Sequence, residues 1–205
     1  MPNAEQILEG LRSAAQQWQI IAMAWHVALA AFLLAMLMGF RPPRSRVALG
    51  LATPLLSVAL VAWSGGNLFN SIVFGGLALA LAVMAVRLPA APVQRVRGLW
   101  CLPAGALILL GWTYPHFLPS GTGAAYLYAA PLGVIPCPTL AAVAGCSLLL
   151  GGFRSRAWTA VIVAAVLFYG LFGGIYLGVT LDWILLLGAV SLGLWLPRPC
   201  GPAVY

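Results

Sequence analysis

Few side chains in this sequence could do chemistry. Its 205 residues hold four cysteines, two histidines and three acids. Cys137 stands out because its setting, PLGVIPCPTL at 131–140, places three prolines and a glycine inside an otherwise apolar stretch. An exposed thiol at a helix N-terminus gains thiolate character from the helix dipole, which favours metal binding or oxidation. With the imidazole of His116 and the carboxylate of Asp182, Cys137 would make a soft-to-borderline metal set. The plainer role for Cys137 is a small apolar filler. Asp182 either caps the helix that follows it, with its carboxylate on the first N–H groups, or attracts a cation. His26 lies inside an apolar run, where ionisable groups are costly and often functional; its plainer role is a hydrogen bond from a neutral ring to a neighbouring helix. Cys101, Cys137, Cys146 and Cys200 form no CxxC pair and no metal-finger spacing, so neither a disulfide framework nor a zinc site is indicated. No cofactor signature is present.

These residues sit in a chain that is 63% hydrophobic and 6% charged, with a mean hydropathy of +1.02. Soluble domains carry about a quarter charged residues, so this chain could not cover a globule with polar surface. Alternating strands of membrane-barrel type are absent. The expected class is an all-α polytopic membrane protein. The net charge of +7 comes from ten basic residues, all arginine. Their placement argues for membrane orientation and against a nucleic-acid partner.

A spanning helix needs about 20 mostly apolar residues. Candidate spans fall at 18–40, 47–63, 71–86, 99–114, 139–153, 157–177 and 183–196, which makes seven. Arg41, Arg44 and Arg46 fill the first loop; Arg87, Arg95 and Arg97 the third; Arg154 and Arg156 the fifth; Arg198 the tail. Loops two, four and six carry no basic residue, so the positive-inside rule predicts an outside N-terminus and a cytoplasmic C-terminus. Tryptophans agree: Trp18, Trp63, Trp112 and Trp183 mark outer ends, and Trp100, Trp158 and Trp195 inner ones. Residues 1–16 do not read as a signal peptide, because Glu5 and Glu9 occupy the expected basic region. Ile7, Leu11, Ala14 and Trp18 share one helical face opposite Glu5, Glu9, Arg12 and Gln16. This predicts a short interfacial amphipathic helix with Asn3 as its cap.

That threading gathers the remaining polar residues into the outer leaflet: His26, Asn67, Asn70, Tyr114, His116, Cys137 and Asp182. A fifth span starting at Thr139 is about 22 Å long, short of a hydrocarbon core of about 30 Å. PLGVIPCPTL is therefore expected to dip into the outer leaflet as irregular backbone, which survives there only under a cover of protein or cavity water. Cys137 would sit at its mouth, with Thr139 capping the helix. Gly170, Gly174 and Gly178 recur every four residues and predict a helix-packing ridge.

Residues 133–188, with GVIPCPTLAAVAGCSLLL, Phe172-Gly173-Gly174 and GVTLDWILLLGA around Asp182, resemble bacterial multi-spanning proteins of domain-of-unknown-function family 6064. The proline-X-proline-threonine segment and the acid opening the last helix carry the resemblance. The N-terminal half matches in hydropathy alone, and a tyrosine-histidine pair after the second span is absent. The resemblance implies a fold and no activity. Three functions follow as expectations. The first is a non-enzymatic accessory or structural subunit of a membrane complex in the bacterial cytoplasmic membrane, with the bilayer and other subunits as partners. The second is a small-solute or metal-ion permease whose entrance is the Cys/His/Asp cluster. The third is a thiol-dependent membrane enzyme.

Overall fold

A computed structural model of the chain describes residues 3–96, 98–117 and 123–195. Arg97, Pro119, Leu196, Arg198 and Cys200 lie outside the described residues. Among the described residues eight α-helices follow one another: α1 (Ala4–Gln17), α2 (Gln19–Leu37), α3 (Arg44–Ser64), α4 (Leu68–Val86), α5 (Cys101–Thr113), α6 (Pro136–Leu149), α7 (Arg156–Leu171) and α8 (Trp183–Leu194). Among the described residues there is no strand, only an isolated bridge between Pro43 and Pro92.

Each helix begins and ends for local reasons. Asn3 and Gln6 form a reciprocal capping box: Asn3 Oδ1 accepts the Gln6 N–H at 2.8 Å, and Gln6 Oε1 accepts the Asn3 N–H at 3.0 Å. Gly39, at φ +90°, turns the chain after α2. Inside α3, Pro54 has no N–H for the carbonyl of Gly50. Thr53 Oγ1 donates to that carbonyl at 2.6 Å, so the helix continues. Four helices are long and apolar enough to cross a membrane: α2, α3, α4, and α7 with the π-helical turn that prolongs it to Tyr176. α5, α6 and α8 are apolar but shorter. Among the described residues the fold is all-helical, and its four long apolar helices suggest a membrane protein.

Consecutive helices pair as hairpins, α3 with α4, α5 with α6 and α7 with α8. α6 is the axis: it touches α3, α5, α7 and α8 and is buried along its length except at Leu149. Small residues make that possible. A Cβ on Gly145 would stand 2.7 Å from the Ile108 nitrogen, and one on Gly111 would stand 2.5 Å from the Pro138 oxygen. Glycines on both helices thus let the α5 and α6 backbones touch.

The two ends of the bundle differ. At one, the Arg44 N–H donates to the Ala91 carbonyl (2.9 Å), the Val93 N–H to Pro42 (3.0 Å) and the Val96 N–H to Leu149 (2.8 Å). These bonds lock two arginine-bearing loops to the end of α6. At the other end the three short helices stop early, and irregular backbone fills the space. Residues 129–135 are buried there, Leu132, Val134 and Ile135 each donating to a carbonyl at 130 or 131.

The expected start of the fifth span at Thr139 is corrected. α6 begins at Pro136, because Pro136 and Pro138 occupy first-turn positions whose N–H groups would lack helical partners anyway. Thr139 is therefore not a cap. It lies inside the first turn, where its Oγ1 donates to the Ile135 carbonyl (2.7 Å) and accepts the Gly133 N–H (2.8 Å), folding the loop back onto its helix.

Candidate functional site

Three chain breaks build one site. α5 ends at Thr113, and Tyr114 turns its buried ring onto Phe117, stacked at 5.9 Å and 15°. α6 opens with Cys137 as its second residue. α7 loosens into the π-helical turn Phe172–Tyr176, reverses at Gly178 (φ +68°) and enters α8 through a 3-10 turn, Thr180–Asp182. Bonds from the Val179 N–H to Gly173 (2.9 Å) and from the Asp182 N–H to Val179 (3.0 Å) hold this reversal. The carboxylate of Asp182 then lies against bare backbone at Gly173, where any Cβ would collide with it.

Asp182 is 1% exposed, and both its oxygens accept hydrogen bonds. Tyr114 donates its hydroxyl to Oδ1 at 2.6 Å, and Cys137 donates its thiol to Oδ2 at 3.2 Å. Both carboxyl oxygens are thus engaged by side chains from other helices, Oδ1 from the end of α5 and Oδ2 from the start of α6. The capping role expected for Asp182 is corrected: its side chain makes no bond to the N-terminus of α8. The reason is conformational. An N-cap residue is usually extended, whereas Asp182 has helical angles (φ −70°, ψ −14°) set by the 3-10 turn.

A second polar pair faces the same space. Tyr169 on α7 donates its hydroxyl to Asn70 Oδ1 on α4 at 2.8 Å. The two sets border a chamber of about 30 Å³ roofed by Ile7 and Leu11 of α1. A water needs roughly 10–15 Å³ of such volume, so the chamber admits one or two waters or a small cation. Asn70, Pro136 and Phe172 also border a vestibule of about 750 Å³ at this end of the bundle.

The structure separates the remaining candidates. Among the described residues no three His, Cys, Asp or Glu side chains come together to hold a metal ion. The Cys137–His116–Asp182 triad is thus not assembled: His116 is exposed and meets Phe117 edge-on at 4.9 Å. Cys137 is not an exposed thiol at a loop mouth but a buried donor to Asp182, because the loop before α6 folds inward. Cys146 lines a different cavity. His26 is buried away from the chamber. Its Nδ1 is 2.8 Å from the Ala22 carbonyl and its Nε2 is 2.9 Å from the Trp112 carbonyl, so the ring ties α2 to α5. Asn67 caps α4 by accepting the Asn70 N–H at 3.1 Å. Gly170 packs against Leu185 and Leu186, and Gly174 against Trp183, all on the α8 side. Gly178 belongs to no ridge, since the π-helical turn has ended the helix before it.

Tyr169 and Gly173 border the candidate site and were not among the residues the sequence pointed to. Tyr169 carries a hydroxyl in an apolar helix directly before Gly170, and Gly173 doubles Gly174; both were visible as oddities but named no partner. No family model, curated protein or solved structure matches the chain.

Proposed function

We propose that the protein is a seven-span protein of the bacterial cytoplasmic membrane, N-terminus outside, and that the Asp182 chamber is the outward-facing binding site of a small-cation permease. One observation carries this reading: the deepest acid in the chain directs its carboxylate to Tyr114 and Cys137 below a vestibule and leaves the α8 N-terminus uncapped. Burying a carboxylate in a membrane is expensive, and such residues mark ion pathways or relays. The irregular backbone supports it too, since broken helices at membrane depth are tolerated where they line a cavity, and transporters place sites there. The orientation rests on the arginine-bearing loops gathered at one end of the bundle. Membership of family 6064 belongs to the same proposal, because the proline-X-proline-threonine turn and the last-helix acid are two walls of the chamber.

The accessory-subunit reading keeps one observation in its favour. The carboxylate already has two donors, and α6 is buried toward the arginine end except at Leu149, so the network would also serve as a pin between α5, α6 and α8. The two readings separate on one preparation. Protein purified in mild detergent is assayed for bound sodium, potassium and transition metals by elemental analysis, and for co-eluting proteins by mass spectrometry. Retained cation that Asp182→Asn releases, with matching loss of uptake into proteoliposomes, is the expected result. Cation content equal in both proteins sinks the permease; a stoichiometric partner surviving a salt wash then makes the chain a subunit.

A further inference from the structure

A groove that shares no lining residue with the Asp182 chamber has the form of a lipid site. It lies between α2, α3 and α6, measures about 400 Å³ and is walled by Trp25, Phe32, Leu51, Pro54, Leu132 and Val143. Gly50 leaves part of the α3 wall as bare backbone, with nothing within 4 Å of an added Cβ. The Gly50 carbonyl freed by Pro54 is occupied by Thr53 Oγ1 at 2.6 Å, so it does not oppose an apolar occupant.

The mouth of this groove is cationic. Pro42 and Arg46 line it at the arginine end, and the Arg46 side chain is exposed. Arg41, next to Pro42, lines an adjoining cavity of about 440 Å³ together with Arg95 and Gln94. The bond from Val93 to Pro42 and the bond from Arg44 to Ala91 hold these loops side by side. All three acids of the chain are elsewhere: Glu5 and Glu9 in α1, Asp182 in the chamber. From Arg46 to Pro54 the α3 wall runs about 12 Å at the helical rise. That is within one leaflet of a hydrocarbon core of about 30 Å.

We propose that the groove binds one anionic phospholipid of the bilayer, with an acyl chain between α2 and α6 and its phosphate on Arg46. Charge complementarity chooses the ligand: a zwitterionic lipid brings its own cation to a mouth flanked by Arg41, Arg46 and Arg95, and a soluble anion leaves the apolar wall bare. The inference is independent of what the Asp182 chamber does.

The test is native mass spectrometry of the full chain from mild detergent, equilibrated with mixed micelles of phosphatidylglycerol and phosphatidylcholine. One arginine near a phosphate is expected to favour phosphatidylglycerol roughly fivefold. Arg46→Gln, at an exposed position, brings the two adducts to parity. Gly50→Phe, filling open space, removes the bound lipid, while Gly76→Phe, on α4 and equally open, leaves it in place. Equal retention of both lipids by the wild type overturns the proposal, as does a preference that survives Arg46→Gln or an adduct that survives Gly50→Phe. A dimer that Gly50→Phe dissociates also overturns it, since a second copy would then occupy the groove.

Discussion

Replacing Tyr114 by Phe removes one hydroxyl and little else, because the ring keeps its stack on Phe117. The lost bond, 2.6 Å to Asp182 Oδ1, ends on a buried carboxylate. Hydrogen bonds to charged groups contribute about 1.5–3 kcal/mol, whereas neutral interhelical bonds in membranes average about 0.6 kcal/mol. The chamber has room for a water to replace the lost donor, which favours the lower half of the charged range, roughly 1.5–2 kcal/mol. For a chain of this size each kcal/mol moves Tm by about 2–4 °C, so the expected drop is about 3–8 °C. Tyr169→Phe is the internal comparison. Its bond to neutral Asn70 (2.8 Å) predicts only about 1–2 °C on the membrane average. The assay is thermal unfolding in one detergent at one scan rate, read by intrinsic fluorescence. In an Asp182→Asn background the Tyr114→Phe effect should shrink toward that of Tyr169→Phe. A Tyr114→Phe protein as stable as wild type, or a loss unchanged in the Asp182→Asn background, refutes a charged acceptor at the centre of the site.

Gly145→Ala places a Cβ 2.7–2.8 Å from backbone atoms of α5 and should lower stability by about 1–3 kcal/mol; Gly50→Ala meets nothing and should raise it by up to about 1 kcal/mol through helix propensity. Both are read by the same melts. Thr139→Val leaves the buried Gly133 N–H without an acceptor and should destabilise by about 1–3 kcal/mol, while Thr139→Ser retains the bond and the stability. In a Cys200→Ser background, a membrane-impermeant maleimide should label exposed Cys101 in inside-out vesicles and not in intact cells, with Cys137 and Cys146 reacting only after denaturation. Labelling of Cys101 in intact cells reverses the proposed orientation.

What the sequence determined by itself was additive and local. Apolar runs set seven apolar helices in order, Asn3 as a cap and the apolar face of Ile7, Leu11 and Ala14 marked α1, and the arginines divided the loops into two kinds. Each of these sums over neighbouring residues, which is why hydropathy and periodicity suffice to read it. Tertiary structure decided the site. Tyr114 meets Asp182 across 68 positions, Cys137 meets it across 45, and Tyr169 meets Asn70 across 99; no local pattern encodes such pairs. The sequence also left Asp182 a capping role, and backbone conformation removed it, since the 3-10 turn aims the carboxylate inward rather than at α8. Gly173 shows the same division. Its type was plain in the sequence, but only the packed bundle reveals that the missing Cβ is the space a carboxylate fills.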